Sequence, residues 1–168
     1  MGGMIQYDEG DRRFNHRVAG AAIHRGRVLL HRAAHEDFWS LPGGRIEHGE
    51  ASREALLREF GEELETEIEV GGLLWVAESF FRHEERDVHE LGLYYFVSLP
   101  MGSPLIERDE PWSGEDAGVE LNFRWFPLDR VGAVRLFPAF LKLGLRRLPE
   151  HPVHVIERAG SVVERGSR

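Results

Sequence analysis

GRIEHGEASREALLREFGEE, residues 44–63, contains the strongest helical pattern of this chain. Its second half begins at Ser52, a residue type that favours a helix start, and continues with apolar residues at helical spacing: Ala55, Leu56, Leu57, Phe60 and Leu64. A helix turns by about 100° per residue, so the glutamates of this segment fall on a different face. We therefore predict an amphipathic helix with one acidic face.

The acidic face has two interpretations. Glu59 and Glu63 are one helical turn apart and Glu62 lies beside them, so three carboxylates crowd one arc of the surface. A hard divalent cation would relieve their mutual repulsion, and Mg²⁺ binds through a few carboxylates, water and substrate phosphates. Taken alone, however, a run of glutamates is more often a solvated helix face.

Fixed spacings upstream favour the metal site. Five residues separate the first glycine of the segment from a glutamate, and seven more separate that glutamate from an Arg-Glu pair. With the aromatic residue and the Glu-Glu pair that follow, this pattern resembles the signature of the Nudix family. The matching residues are Gly44, Glu50, Arg58, Glu59, Phe60, Glu62 and Glu63. So many fixed positions are hard to match by chance, and we favour a metal-binding helix.

The resemblance covers residues 14–147, because residues 27–30, 38–43 and 124–128 are also similar to common features of Nudix domains. It implies an α/β fold of mixed α+β type, an α/β/α sandwich around a mixed β-sheet. We predict one Nudix-like domain over residues 1–168, with roughly the first 13 and the last nine residues frayed.

The rest of the chain gives coarser predictions. Apolar runs between turn-forming residues predict a hairpin within residues 17–32, an antiparallel pair at 73–81 and 90–99, a strand at 122–126 and a second helix at 138–147. Residues 100–118 are predicted to form a long acidic loop, and a loop of that length in a small domain is more often functional than idle.

Composition narrows the class of protein. A chain of 168 residues suits one core, and it has no apolar stretch near the roughly 18 residues of a membrane helix. Without cysteine, disulfides and thiolate sites are excluded, and we expect a soluble, cytoplasmic protein without a secretory signal. The net charge of −8 argues against a broad nucleic-acid-binding surface.

The resemblance implies an enzyme, a pyrophosphohydrolase that cleaves a nucleoside diphosphate linked to another group by attack of water on phosphorus. That reaction needs neutralised phosphoryl oxygens and a positioned water, both of which divalent metals supply. We therefore expect Mg²⁺, with Mn²⁺ as a substitute, and a small nucleoside diphosphate derivative as substrate. The sequence contains neither a P-loop motif nor a recognisable Ser-His-Asp arrangement, which disfavours ATP-driven and acyl-transfer chemistry.

The positions that match the signature imply which residues bind the metal. The resemblance implies that Glu59 and Glu63 are direct metal ligands and that Glu62 is a further ligand or orients the attacking water. Gly44, with Gly43, lets the backbone approach the metal closely, so that a carbonyl there would ligate as well.

Other acidic and basic residues have supporting roles. Arg58 is expected to hold a loop carboxylate such as Glu50 through charge-assisted hydrogen bonds. Many family members add a distant carboxylate as base or extra ligand. Here the candidates, in or just after the long loop, are Glu110, Glu115, Asp116 and Glu120, and we favour Glu120 slightly over Glu115.

Substrate contacts are less well defined. Arg32, just past a predicted strand, is placed to reach phosphates, and Phe38 and Trp39 either flank a base or, as we favour, pack under the loop. His89, at the start of a predicted strand, is a candidate for the pocket, although a lone histidine there is more often structural.

One departure from the signature concerns the helix end. The pattern continues with a glycine where this chain has Glu65, so the helix is longer, its cap is shifted, or Glu65 is strained. None of these outcomes removes a ligand.

Two other functions remain open at this point. The chain could be a nucleotide-sensing regulatory domain without turnover, although intact signature glutamates argue against that, or it could act on RNA 5′ ends. The sequence does not distinguish a monomer from a homodimer.

Overall fold

The computed structural model describes residues 3–159 and 161–165. Within them the chain forms ten strands, two α-helices and one 3-10 turn. The strands are β1 (Gln6–Glu9), β2 (Arg12–His24), β3 (Arg27–Ala33), β4 (Gly43–Arg45), β5 (Glu69–His83), β6 (Arg86–Ser98), β7 (Trp112–Asp116), β8 (Val119–Pro127), β9 (Val153–Arg158) and β10 (Ser161–Arg165); the helices are α1 (Ser52–Leu64) and α2 (Leu141–Gly144). No helix of the described residues is long and apolar enough to cross a membrane.

The strands form one mixed sheet. Eight of them follow the order β10-β9-β5-β6-β2-β3-β8-β7, and β1 and β4 pair separately with β2. The pairs β2–β6 and β5–β9 are parallel, and the others are antiparallel. Strands β2 and β3 pair only beside their turn, where Ile23 meets Val28 and His24 meets Arg27. Beyond these pairs the two strands diverge, and a cleft opens between them.

Two apolar cores lie on opposite faces of this sheet, because successive strand residues point to opposite sides. On one face Ala55, Leu56 and Phe60 of α1 pack against β2, β6 and β8. On the other face the α2 region packs Phe140 and Leu141 against β2, β5 and β9. The result is the predicted sandwich of helices around a mixed sheet.

Several predicted elements are confirmed. The hairpin of residues 17–32 is β2–β3, the helix from Ser52 is α1, and the antiparallel pair is β5–β6, in which both strands are longer than predicted. Strand 122–126 is the centre of β8.

The structure differs from the predictions of a long loop and of a second helix. Residues 100–118 contain β7, which pairs with β8 across a tight turn where Ala117 and Gly118 both have positive φ, as two-residue hairpins require. The helix predicted over 138–147 is reduced to the single turn α2. Proline before it and Leu148-Pro149 after it limit its length.

The expected fraying of the chain ends is also corrected where the structure describes them. Residues 6–9 form β1 against β2, and residues 161–165 form β10 against β9. Backbone pairing orders β1 even though three of its four side chains are exposed, so no apolar alternation announced it. Residues 1–2, Gly160 and residues 166–168, also predicted to fray, lie outside the described residues.

The end of α1 shows how the missing signature glycine is accommodated. Glu65 adopts the left-handed conformation, with φ 50° and ψ 37°, and its N–H donates to the carbonyl of Gly61. The helix therefore keeps a left-handed cap, with a residue that has a Cβ in a position that favours glycine.

We expect Glu65→Gly to raise the free energy of unfolding by roughly 0.5–1 kcal/mol. The left-handed conformation costs a residue with a Cβ about 1–2 kcal/mol, and the greater freedom of unfolded glycine removes part of the gain. Urea denaturation would measure the difference. The control is Glu67→Gly, an exposed neighbour without positive φ, which should lower stability. Equal losses in both variants would show that Glu65 is not strained.

Candidate active site

Three carboxylates meet where α1 faces the end of β7. Oxygens of Glu59, Glu63 and Asp116 lie within 4.8 Å of one another. Glu59 and Glu63 are only 6% and 7% exposed, which is unusual for charged side chains. The acidic face of α1 is therefore buried at its centre and is not a solvated helix face.

The Gly43-Gly44 turn lies directly against this group. A Cβ at Gly44 would overlap the carboxylate of Glu59, and a Cβ at Gly43, whose φ is 146°, would overlap the carbonyl of Val18. Strand β4 can approach α1 and β2 this closely only because both residues are glycine. Gly44 lines the cleft beside Glu59, where we predicted a backbone ligand.

Arg58 ties the loop to the helix, as we predicted. Its Nε and Nη2 donate to the two carboxylate oxygens of Glu50 at 2.9 and 3.0 Å, and its Nη1 donates to Glu59 at 2.9 Å. A further bond of 3.1 Å runs to the carbonyl of Arg45. These contacts hold the pKa of Glu50 below its usual range.

Glu62 takes a different position from its neighbours. Its side chain is 52% exposed, and it reaches the guanidinium of Arg58 at 3.2 Å. Among the described residues it is not in the group of three carboxylates that could share one ion.

His31 of β3 is a site residue that the sequence analysis missed. Its Nδ1 lies 3.1 Å from Oε2 of Glu63, and both side chains are buried. Neither atom has an aligned hydrogen-bond partner within residues 3–159. The available signal was a polar residue that directly follows the apolar run of β3.

A cation fits this donor set. Burial raises the pKa of Glu59 to about 7, although Arg58 opposes the shift. Burial and then the charges of Glu63 and Glu62 raise the pKa of Asp116. Crowded carboxylates and an unpartnered, buried oxygen of Glu63 are what a hard divalent ion with oxygen ligands would satisfy.

The structure favours a different distant carboxylate from the one that we preferred on sequence. The preferred candidate, Glu120, is exposed and pairs with the equally exposed Glu115 across the β7–β8 hairpin, and Glu110 is exposed before β7. Asp116, at the end of β7, is the one that reaches Glu59 and Glu63. The register of the β7–β8 hairpin determines which acid lies beside Glu59 and Glu63. Because β7 was predicted as part of a loop, that register could not be predicted.

A cleft of about 890 Å³ extends from the acidic group between β2 and β3. Arg32 and Phe38 line it. Trp39 packs against Phe126, with ring centroids 4.9 Å apart, and the guanidinium of Arg32 lies over its ring at 4.8 Å. The packing that we favoured for the aromatics therefore holds for Trp39.

His89 does not face this cleft. It stacks on Phe80 at 4.3 Å and meets Phe14 edge-on at 5.4 Å, with its strand neighbour Glu90 on the cleft side. Because strand residues alternate between faces, the predicted pocket residue is off by one position.

Two arginines on the cleft wall were not predicted. Arg17 donates to the carbonyls of Leu41 and Gly43, both at 3.3 Å, and is paired across β2–β4 with Arg45. Burial and the charges of Arg13 and Arg17 lower the pKa of Arg45. Among the described residues neither Arg17 nor Arg45 has a carboxylate within 4.0 Å, so the pair can attract an anion.

We expect the metal-free protein to lose stability as pH rises from about 4.5 to about 7 through Glu59. In that window the unfolded chain has released this proton and the folded protein still holds it, so the folded state binds more protons. Saturating Mg²⁺ should remove the loss, because a cation favours the charged carboxylate. Thermal unfolding with EDTA or Mg²⁺, taken as the difference between wild type and Glu59→Gln, measures it. A metal-free difference that is flat or rises with pH would contradict the assignment.

Comparison with known proteins agrees with this geometry. Residues 14–147 match the NUDIX domain. The Bacillus subtilis (strain 168) protein named "Putative ADP-ribose pyrophosphatase YjhB" is 32% identical over 116 residues, which are 68% of this chain and 50% of that protein. The chain therefore spans about half the length of this relative.

Solved structures share the fold. A NUDIX hydrolase from Nitrosomonas europaea superimposes with a TM-score of 0.57 at 19% identity over 94% of each chain. A UDP-X diphosphatase gives a TM-score of 0.59 at 19% identity, covering 84% of this chain and 64% of the other. At these identities the likeness is one of fold. Because the NUDIX match includes α1 and the strands on both sides of the cleft, the chain belongs to the Nudix hydrolase family.

Proposed function

We propose that this chain hydrolyses the pyrophosphate bond of a nucleoside diphosphate linked to another group. The observation that carries the proposal is the buried group of Glu59, Glu63 and Asp116, in which one oxygen of Glu63 has no aligned hydrogen-bond partner among the described residues. A nucleotide-sensing domain without turnover could have lost these glutamates, so their presence favours the enzyme.

Different acidic residues of the site bind the cation and orient the water. A bound divalent cation supplies charge neutralisation on phosphoryl oxygens and a more acidic water, which attack on phosphorus requires. Glu59, Glu63 and Asp116 hold the cation, and Mg²⁺ suits their oxygens, with Mn²⁺ as a substitute. Glu62, exposed beside them, orients the attacking water.

The cleft wall receives the diphosphate. Arg17 and Arg45 lie side by side on the wall and carry two positive charges that no carboxylate within residues 3–159 pairs with at 4.0 Å. Arg32 lies on the facing strand β3, with its guanidinium over the ring of Trp39, and provides a third cation at the same opening. Three guanidinium groups around one opening suit a ligand with two adjacent phosphates.

The substrate class follows the relatives in a general way. One relative is named for ADP-ribose pyrophosphatase activity and one structure is a UDP-X diphosphatase, and both names describe a nucleoside diphosphate joined to another group. Cytoplasmic location and the choice between monomer and homodimer remain predictions.

The first test is hydrolysis of ADP-ribose, nucleotide sugars, nucleoside triphosphates, dinucleoside polyphosphates and triphosphorylated RNA with Mg²⁺ or Mn²⁺. We expect wild type to cleave at least one, and Glu63→Gln to lose roughly 100-fold or more in kcat, because the cation loses a charged ligand. The control is Glu67→Gln, an exposed glutamate just after α1, which should keep full activity. A protein that binds a nucleotide but cleaves nothing would overturn the proposal in favour of a sensor.

A second test compares two acids of one hairpin. Asp116→Asn should raise the Mg²⁺ concentration that gives half the maximal rate by roughly 10- to 100-fold, since Asp116 lies in the carboxylate group. Glu120→Gln, on the exposed side, should change it by less than about twofold. Titration of the rate with Mg²⁺ measures both. The opposite ranking would restore Glu120 as the distant carboxylate.

A further inference from the structure

A row of buried polar side chains crosses the sheet outside the carboxylate group. Asn15 of β2, Glu90 of β6, Ser79 of β5 and Glu157 of β9 are register neighbours in adjacent strands. All four are less than a tenth exposed. Strand residues in register point to the same face, so the row is continuous, and a continuous polar row in a core needs a reason.

One end of the row has a structural reason. Glu157 accepts hydrogen bonds from the backbone N–H groups of Ala139 and Phe140 at 2.8 and 2.7 Å, so it fixes the turn before α2. Ser79 is 1% exposed and does not line the cleft. The other end, Glu90 and Asn15, lines the cleft wall.

Glu90 has no comparable structural partner. Although it is only 8% exposed, no arginine, lysine or histidine nitrogen within residues 3–159 lies within 4.0 Å of its carboxylate. Burial raises its pKa, and the charge of Arg17 and the amide of Asn15 act in the opposite direction. On balance the pKa of Glu90 is raised, so the charged form of this buried carboxyl lacks donors, and two hydrogen-bond donors from a ligand in the cleft would supply them.

Arg17 links this end of the row to the acidic group. Arg17 lies two residues from Asn15 on the same face of β2, and its strand partner Arg45 adjoins Gly44, which lies against the carboxylate of Glu59. A diphosphate held between the carboxylate group and Arg17 would therefore place its attached nucleoside along the wall toward Glu90.

We propose that Glu90 is a specificity residue of this cleft, which recognises a nucleoside by two adjacent hydrogen-bond donors, with Asn15 as its positioning residue. This inference rests on the proposed function for the place of the phosphates. A carboxylate offers two acceptor oxygens in one plane and no donor, so it pairs with a ligand that presents two donors side by side. The positive charges of Arg17 and Arg45 nearby mean that the donor group can be neutral.

Two parts of a nucleoside carry such paired donors. A guanine edge presents a ring N–H beside an amino group, and a ribose presents neighbouring 2′ and 3′ hydroxyls. Both are neutral and both form the same contact with a carboxylate. The experiment separates them by removing one donor from each in turn.

The probes are nucleoside monophosphates, whose binding is measured by calorimetry without metal. GMP is compared with IMP, which lacks the amino group, and with 2′-deoxy-GMP, which lacks one hydroxyl. We expect wild type to bind GMP roughly 10- to 100-fold more tightly than one of these two, because a lost hydrogen bond to a charged group leaves the carboxylate unpaired. In Glu90→Gln, which replaces one acceptor by a donor, that ratio should fall to about twofold or less.

Ser79→Ala is the matched control, because Ser79 adjoins Glu90 in the same row but does not line the cleft. It should keep the wild-type ratio. If Glu90→Gln does not fold, Asn15→Ala applies the same test, and its ratio should also fall. A ratio that is unchanged in the variant, or that falls equally in Ser79→Ala, would overturn the inference, as would wild type that binds all three probes alike.

The two proposals fail separately. Hydrolysis of a diphosphate substrate by a protein whose probe ratios do not depend on Glu90 would remove the specificity residue and leave the activity. Dependence on Glu90 in a protein that hydrolyses none of the panel would remove the activity and leave the specificity residue.

Discussion

The fold depends on keeping two glutamates of one helix turn buried together. Burying a carboxylate costs several kcal/mol unless other groups compensate, and Glu59 and Glu63 are both more than nine-tenths buried. Arg58 compensates in part, since it bonds Glu59 and is itself fixed by both oxygens of Glu50. Arg58 does not reach Glu63, whose nearest basic group is His31 at 3.1 Å without an aligned hydrogen bond, and a cation would complete the compensation.

The same constraint shapes the backbone around α1. The helix can bring Glu59 up to β4 only because Gly43 and Gly44 have no side chains, and β4 can lie against β2 for the same reason. Strands β2 and β3 pair only at two positions, because β4 pairs with β2 at residues 17–19. The cleft therefore opens beside the strand that carries the glycine turn and lies against Glu59.

Local patterns in the sequence were sufficient for the helix, the hairpin and the Arg58–Glu50 contact, because each depends on residues close in the chain or on fixed spacings. They failed where long-range register decides. Asp116 and Glu120 are equally acidic, and only the pairing of β7 with β8 puts one in the carboxylate group. His89 was one position away from Glu90 for the same reason: alternation predicts that neighbours face opposite sides but not which one faces the cleft.

Apart from Asp116, the successes and the failures fall on two different parts of the site. The other carboxylates proposed to hold the cation come from α1, beside the glycine turn, and their short spacings can be recognised in a single sequence. The residues proposed to contact the rest of a ligand come from β2, β3 and β6, one or two from each strand, with no fixed spacing between them. Under that proposal a substitution of Glu90 would change the ligand and leave the cation site intact, because β6 contributes none of the three carboxylates. Separate control of chemistry and recognition is the physical reason why a fixed spacing can indicate how a bond is cleaved without indicating which molecule carries the bond.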